Sequence, residues 1–239
     1  MSILAELIAW QGLNRQLLAK PGSDELVDMI QRILTDSNTR VIAVSSGKGG
    51  VGKSSVTVNL AAAVAARGFT VGVLDADIWG FSIPRLLGID EPLEAHTVDE
   101  RPKIFPNEIT VGRGLSKGVL KVVSTGFMVG EDTALMWRGL MLTKAVEQFL
   151  RDVHWGELDY LFIDMPPGTG DVQMGLARLL PRTDLLIVTT PALAAQKVAA
   201  RAAVAGVEAL IRRGRGQGER LGHASGGNGL GCLVCAHEW

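Results

Sequence analysis

The sequence predicts a doubly wound α/β domain with a mostly parallel sheet, and three observations predict it. Short apolar runs at 41–44, 70–74, 119–123, 158–163 and 185–188 have the length and composition of buried strands. Helical patterns at 56–66, 142–153, 172–180 and 192–212 fall between most of them. The resulting order, β-α-β-β-α-β-α-β-α, is that of a parallel sheet covered on both faces. With 239 residues, 47% of them apolar, the chain can bury such a sheet.

Taken in order, residues 2–19 place Ile3, Leu4, Leu7, Ile8, Leu17 and Leu18 at helical spacing. Pro21 and Gly22 break that helix, and Ser23 is placed to cap a second one through Leu34. Residues 1–39 are therefore expected to be a short helical lead-in. The strand at 41–44 then runs into Ser-Ser-Gly-Lys-Gly-Gly-Val-Gly-Lys-Ser-Ser (45–55). Gly47, Gly52, Lys53 and Ser54 satisfy the phosphate-loop spacing G-x-x-x-x-G-K-[ST]. Glycines let the backbone close around an anion, and the helix N-terminus that follows adds positive potential. Gly47, Lys48, Gly49, Gly50, Val51, Gly52, Lys53, Ser54 and Ser55 form the expected cradle for ATP. Lys53 should reach the β- and γ-phosphates, and Ser54 should ligate Mg²⁺. The fold class is thereby narrowed to a P-loop NTPase.

The helix at 56–66 ends at Arg67-Gly68, and the next strand ends at Asp75-Ala-Asp77. Residues 88–118, rich in Gly, Pro and charge, are expected to be a surface excursion with at most a short strand. In 142–153, Ala145, Val146, Phe149 and Leu150 share one helical face. The strand at 158–163 ends at Asp164, and Met-Pro-Pro-Gly-Thr-Gly (165–170) follows as a rigid loop. The helix at 172–180 is closed by Pro181.

Ligands of parallel sheets bind beyond the carboxyl ends of the strands, where Ser54, Asp75, Asp77 and Asp164 all fall. Asp164 suits the magnesium-side carboxylate of an ATPase, Asp75 would support the same metal shell, and Asp77 would position the attacking water. Lys48 is not needed for phosphate binding, since Lys53 supplies that charge. It is either a solvated lysine or a group that stabilises a γ-phosphate held by a neighbouring subunit. Arg138, in Trp-Arg-Gly, faces a nucleotide, a partner or solvent.

A net charge of −1 gives no argument for nucleic acid or an anionic membrane as partner. No apolar run approaches the ~20 residues of a spanning helix, and no leader-like segment opens the sequence. The simplest expectation is a soluble cytoplasmic protein with reduced cysteines. From about Gly214 the composition changes, with eight glycines between Gly214 and Gly231, and 213–239 is expected to be a flexible or poorly folded tail. It carries Cys232-Leu-Val-Cys235, the spacing of thiolate metal sites and redox pairs. A cluster shared between two chains, a zinc site completed by His223 and His237, and no metal at all remain open on the residues alone.

These stretches resemble the Mrp-type, ApbC-like P-loop ATPases that carry iron–sulfur clusters, relatives of MinD, ParA and nitrogenase iron protein. The resemblance rests on S-G-K-G-G-V-G-K-S-S (46–55), L-D-A-D-I-W-G-F-S-I-P-R-L-L-G (74–88) and W-R-G-L-M (137–141). It is completed by W-G-E-L-D-Y-L-F-I-D-M-P-P-G-T-G-D (155–171) and V-T-T-P (188–191). It implies a homodimeric ATPase in which Lys48 reaches the partner's nucleotide, Asp75 and Asp77 act as switch residues and Asp164 lies on the metal side. It also implies that Cys232 and Cys235 bridge a [4Fe–4S] cluster between two chains, for delivery to apo iron–sulfur proteins. A MinD- or ParA-like positioning ATPase is the alternative, and a truncated nucleotide-binding fragment without cluster is a third reading. The chain departs from the pattern at Leu140, where the family has proline. It departs again beyond about Ala205, where the expected strand and Asn-Met segment are missing. Cys232 and Cys235 stand 41 and 44 positions after Pro191. The ATPase domain is accordingly expected to span 40–212 without its last strands.

Overall fold

The computed structural model describes residues 39–77, 80–98, 101–113, 116–127, 140–168, 183–202 and 233–235. The expected lead-in at 1–39, Arg138, the helix at 172–180, most of the tail and Cys232 lie essentially outside the described residues. The strands are β1 (Arg40–Ser45), β2 (Thr70–Asp75), β3 (Glu94–Val98), β4 (Arg101–Phe105), β5 (Asn107–Arg113), β6 (Ser116–Ser124), β7 (Tyr160–Asp164), β8 (Thr183–Thr189) and β9 (Leu233–Cys235). The helices are α1 (Lys53–Ala65), α2 (Ile83–Leu87), α3 (Leu140–Asp152) and α4, residues 193–202.

Seven strands form one sheet in the order β5-β6-β2-β7-β1-β8-β9, parallel except for β5, and β3 pairs with β4 in a separate antiparallel ribbon. The doubly wound expectation therefore holds. The central strands read as continuous apolar runs because both of their faces are covered. Alternate residues divide between two layers, as the period of a strand requires. Val71, Val73, Leu120, Val122 and Phe162 pack with Val58, Ala61 and Ala65 of α1. Leu74, Val123, Leu161 and Ile163 pack with Val146, Phe149 and Leu150 of α3. This is the face of α3 expected from the sequence, apart from Ala145, whose side chain lies outside the described residues. Helix α3 is described from Leu140, and a first-turn position accepts leucine and proline alike.

Two expectations are corrected. Residues 88–118 are not an unpatterned excursion but contain β3, β4, β5 and the start of β6. Their pattern was obscured because β5 is an edge strand. Ile109 and Val111 alternate with Glu108, Thr110 and Gly112, so few of its positions are apolar. Ile104 of β4 is buried and bridged to Val153 after α3, which anchors the ribbon. The second correction concerns the tail. Leu233–Cys235 pair in parallel with Ile187–Thr189, adding a strand beyond β8. Three residues are too few for a periodic signal, and backbone hydrogen bonding to an open sheet edge does not require one.

Register sets the site. Asp75 lies opposite Asp164 and Ser124, and Asp164 lies opposite Val44. Ser124, Asp75 and Asp164 thus form one row across β6, β2 and β7 at the carboxyl rim. Leu161, on β7 at the centre of the sheet, is fully buried. Leu161→Ala is expected to lower the unfolding free energy by about 3 kcal/mol, measured as a lower urea midpoint at unchanged slope.

Candidate functional site

The loop between β1 and α1 is shaped by glycine. Gly50 and Gly52 have φ of 76° and 83°, a left-handed region that side chains with a Cβ rarely enter. Gly52 immediately precedes α1 and provides no side-chain cap for its first-turn amides. Val51 is buried in the layer beneath α1, while Lys48, Gly49 and Gly50 are exposed. The loop is braced from two sides. Gly168 N donates to Ser46 O at 2.9 Å. A Cβ on Gly47 would stand 2.7 Å from the Val198 carbonyl carbon of α4.

At the foot of α1, three side chains converge on Asp164, which is completely buried. Lys53 Nζ donates to Oδ2 at 2.7 Å, and Ser54 Oγ donates to the same oxygen at 2.6 Å. Thr57 Oγ1 stands 2.8 Å from Oδ1 and 3.0 Å from Lys53 O, its one proton shared between two acceptors. Lys53 and Thr57 fall one helical turn apart, so both face the sheet. Lys53 is itself 7% exposed, and a buried ion pair of this kind holds only when its remaining hydrogen-bonding capacity is filled. The two hydroxyls fill it on the carboxylate side.

Asp75, next in the row, is also completely buried. Its Oδ1 accepts from Asp77 N at 3.2 Å, and its Oδ2 accepts from Ile83 N at 3.3 Å and Ser124 Oγ at 3.1 Å. Burial, and then the neighbouring Asp164 carboxylate, push its carboxyl up from 3.8 to about 7. The Asp77 and Ile83 amides and Lys53 offset part of that rise. Asp77 is 8% exposed at the start of the loop that returns to α2, with Gly80 N donating to its carbonyl at 3.2 Å.

The structure thus gathers Gly47 through Ser55, Asp75, Asp77 and Asp164 at one rim of the sheet. Lys48 lies on the exposed crest of the loop rather than against Asp164. Cys235 falls in β9 in register with Thr189, at the carboxyl end of β8, and Cys232 lies outside the described residues. Sequence reasoning missed Thr57 and Ser124. Thr57 was findable as a hydroxyl four positions after Lys53, and so on the same helical face. Ser124 is the last residue of an apolar strand, and only strand register puts it beside Asp75.

The family described as ParA, NUBPL iron-transfer P-loop NTPase, matches residues 37–209. The chain belongs to this family. It is 47% identical over 188 residues to the iron-sulfur cluster carrier protein of Mycobacterium leprae, covering 78% of this chain and 46% of that protein. It is 50% identical over 151 residues to the protein of the same name from Escherichia coli, covering 63% of this chain and 38% of that one. The chain spans less than half the length of these curated relatives. Among solved structures it is similar to a nucleotide-binding protein of Archaeoglobus fulgidus in complex with ADP. That match has a TM-score of 0.58 and 36% identity, covering 76% of this chain and 67% of the other. Among the described residues no helix is long and apolar enough to cross a membrane.

The raised Asp75 carboxyl has a stability consequence. A carboxyl that binds protons more tightly when folded opposes folding once ionised, so its contribution falls as pH rises through the window from 3.8 to about 7. The cost is absent below that window and complete above it. Urea midpoints, measured without nucleotide at about pH 5 and about pH 8, are expected to fall less in Asp75→Asn than in the wild type. An equal fall in both would show that the Asp75 carboxyl does not carry this dependence.

Proposed function

We propose that this chain binds and hydrolyses ATP with Mg²⁺ and, as a homodimer, carries a [4Fe–4S] cluster to recipient apoproteins. The observation that carries the nucleotide half is the convergence of Lys53, Ser54 and Thr57 on buried Asp164 behind a left-handed glycine loop. The cargo half is supported by curated relatives named iron-sulfur cluster carrier proteins at about half identity. The ATPase unit in this reading runs from about residue 40 to about 212, with 1–39 ahead of it and 213–239 behind.

Loop amides of residues 47–53 would take the β-phosphate, with the α1 dipole adding to the attraction. Lys53 would exchange its contact with Asp164 for phosphate oxygens, which offer the same charge-assisted partner. The donor set fits magnesium, because Ser54 Oγ and Asp164 Oδ2 are hard oxygens standing together and Asp75 lies next in the row. Bound there, Mg²⁺ supplies neutralisation of the β,γ-phosphate charge. Asp77 would orient the water whose oxygen bonds to the γ-phosphorus as the bond to the β-bridging oxygen breaks, leaving ADP and phosphate. Lys48 of the facing subunit would stabilise the charge spread over the γ-phosphoryl oxygens. The cluster is cargo, held by Cys232 and Cys235 from each chain. The seating of Cys235 on the β8 edge supports placing it at the nucleotide end of the sheet.

ATP with Mg²⁺ is expected to raise the Tm of the wild type, with no shift in Lys53→Ala. Lys48→Ala should keep the Tm shift and lose about 100-fold in turnover; unchanged turnover rejects the cross-subunit role. Anaerobic reconstitution should give a brown protein with one [4Fe–4S] cluster per two chains, lost in Cys232→Ser. A colourless, iron-free product overturns the cargo assignment and leaves the nucleotide reading to the Tm experiment.

A further inference from the structure

Ser124 touches neither the phosphate loop nor Lys53, yet it stands in the row with Asp75 and Asp164 and is completely buried. A buried hydroxyl at a strand end is costly unless both its proton and its lone pairs are used. Here both are used, and in a directed way. Gly126 N donates to Ser124 Oγ at 3.1 Å, which leaves the Ser124 proton for Asp75 Oδ2 at 3.1 Å. The same Oδ2 receives Ile83 N, and Oδ1 receives Asp77 N. Asp75 is therefore a knot. It ties both ends of the loop from Asp77 to Ile83 to the turn Thr125–Phe127 that follows β6.

A second contact fastens the described part of that loop to the same turn. A Cβ built on Gly126 would overlap the Phe81 ring at Cγ and Cδ2, so the ring lies directly on the glycine backbone. Phe127, the next residue, packs against both apolar layers of the sheet and holds the turn in place. The Ser124 and Gly126 links of this network reach Asp75 from the β6 side. Asp77, whose amide is held by the same carboxylate, is the group through which they bear on the attacking water.

We propose that Ser124 is a positioning residue for hydrolysis, which fixes the Asp77–Ile83 loop through Asp75 and through the seat of Phe81 on Gly126. The proposal rests on the reading above that Asp77 orients the attacking water. Loss of the Ser124 hydroxyl leaves Asp75 Oδ2 with the longer Ile83 N contact alone and loosens the loop, while the glycine loop, Lys53, Ser54 and Thr57 keep their contacts. A misplacement of the water-orienting group is felt in turnover and not in nucleotide affinity.

The experiment compares wild type, Ser124→Ala, Ser124→Thr, Gly126→Ala, Phe81→Ala and the Phe81→Ala/Gly126→Ala double variant in the full chain. Steady-state ATP hydrolysis and amide hydrogen exchange are the two readouts. Ser124→Ala is expected to lose between about 10- and 100-fold in kcat, with KM for ATP within about twofold. Amides of Asp77 and residues 80–83 should exchange faster while those of α1 are unchanged, and Ser124→Thr should restore both readouts. Gly126→Ala should mimic Ser124→Ala alone but add nothing in the Phe81→Ala background, since the ring it displaces is gone. Wild-type turnover in Ser124→Ala overturns the proposal, as does faster exchange spread equally over α1 and the loop. A wild-type chain that shows no ATP-dependent Tm shift overturns the nucleotide reading itself, a result distinct from either of these.

Discussion

The structure depends most on one buried carboxylate. Asp164 ends the central strand β7 and receives Lys53, Ser54 and Thr57 from the first turns of α1. Two backbone contacts flank it: its own carbonyl accepts from Ala76 N, and Met165 N donates to Val44 O. Through these bonds the strand, the helix and the neighbouring strand ends are held at one spacing. An unpaired carboxylate at this depth would cost several kcal/mol, so the three donors and the acid specify one another. The glycine loop inherits its position from that arrangement, because its two ends are β1, paired with β7, and α1, fixed on Asp164.

The row at the sheet rim explains the electrostatic character of the site. Asp75 and Asp164 stand in register on adjacent parallel strands, both buried, and Lys53 pairs with Asp164. Two carboxylates and one ammonium leave an excess of negative charge in a region that water does not screen. Burial raises the Asp75 carboxyl first, and the Asp164 charge raises it further. Nearby hydroxyls of Ser54, Thr57 and Ser124 supply dipoles without adding charge. Such a set of hard oxygens is suited to a divalent cation, and the glycine loop above it is suited to an anion.

Much of this was legible in residue order, for identifiable reasons. The phosphate loop is local: its function needs consecutive glycines, a lysine and a serine, so spacing alone reveals it. Asp75 and Asp164 were visible because each terminates an apolar strand, and Asp77 because it follows two residues later; parallel sheets put their strand ends together. The β3–β4 ribbon and β5 were not legible, since edge and satellite strands bury one face at most and tolerate Pro102 and Gly112. Strand β9 was not legible either, because its pairing depends on the open edge of β8 and not on its own composition.

The sequence by itself determined the nucleotide-binding chemistry, the strand-helix alternation and the acidic residues available to the site, because these reside in short segments with their own propensities. Tertiary structure alone decided which groups meet. Register put Ser124 beside Asp75 and Asp75 beside Asp164, and helix phase turned Thr57 toward the same carboxylate. Those contacts join residues 49 to 107 positions apart, and no local pattern encodes a separation of that kind. It is fixed only when the sheet closes and its two apolar layers fill.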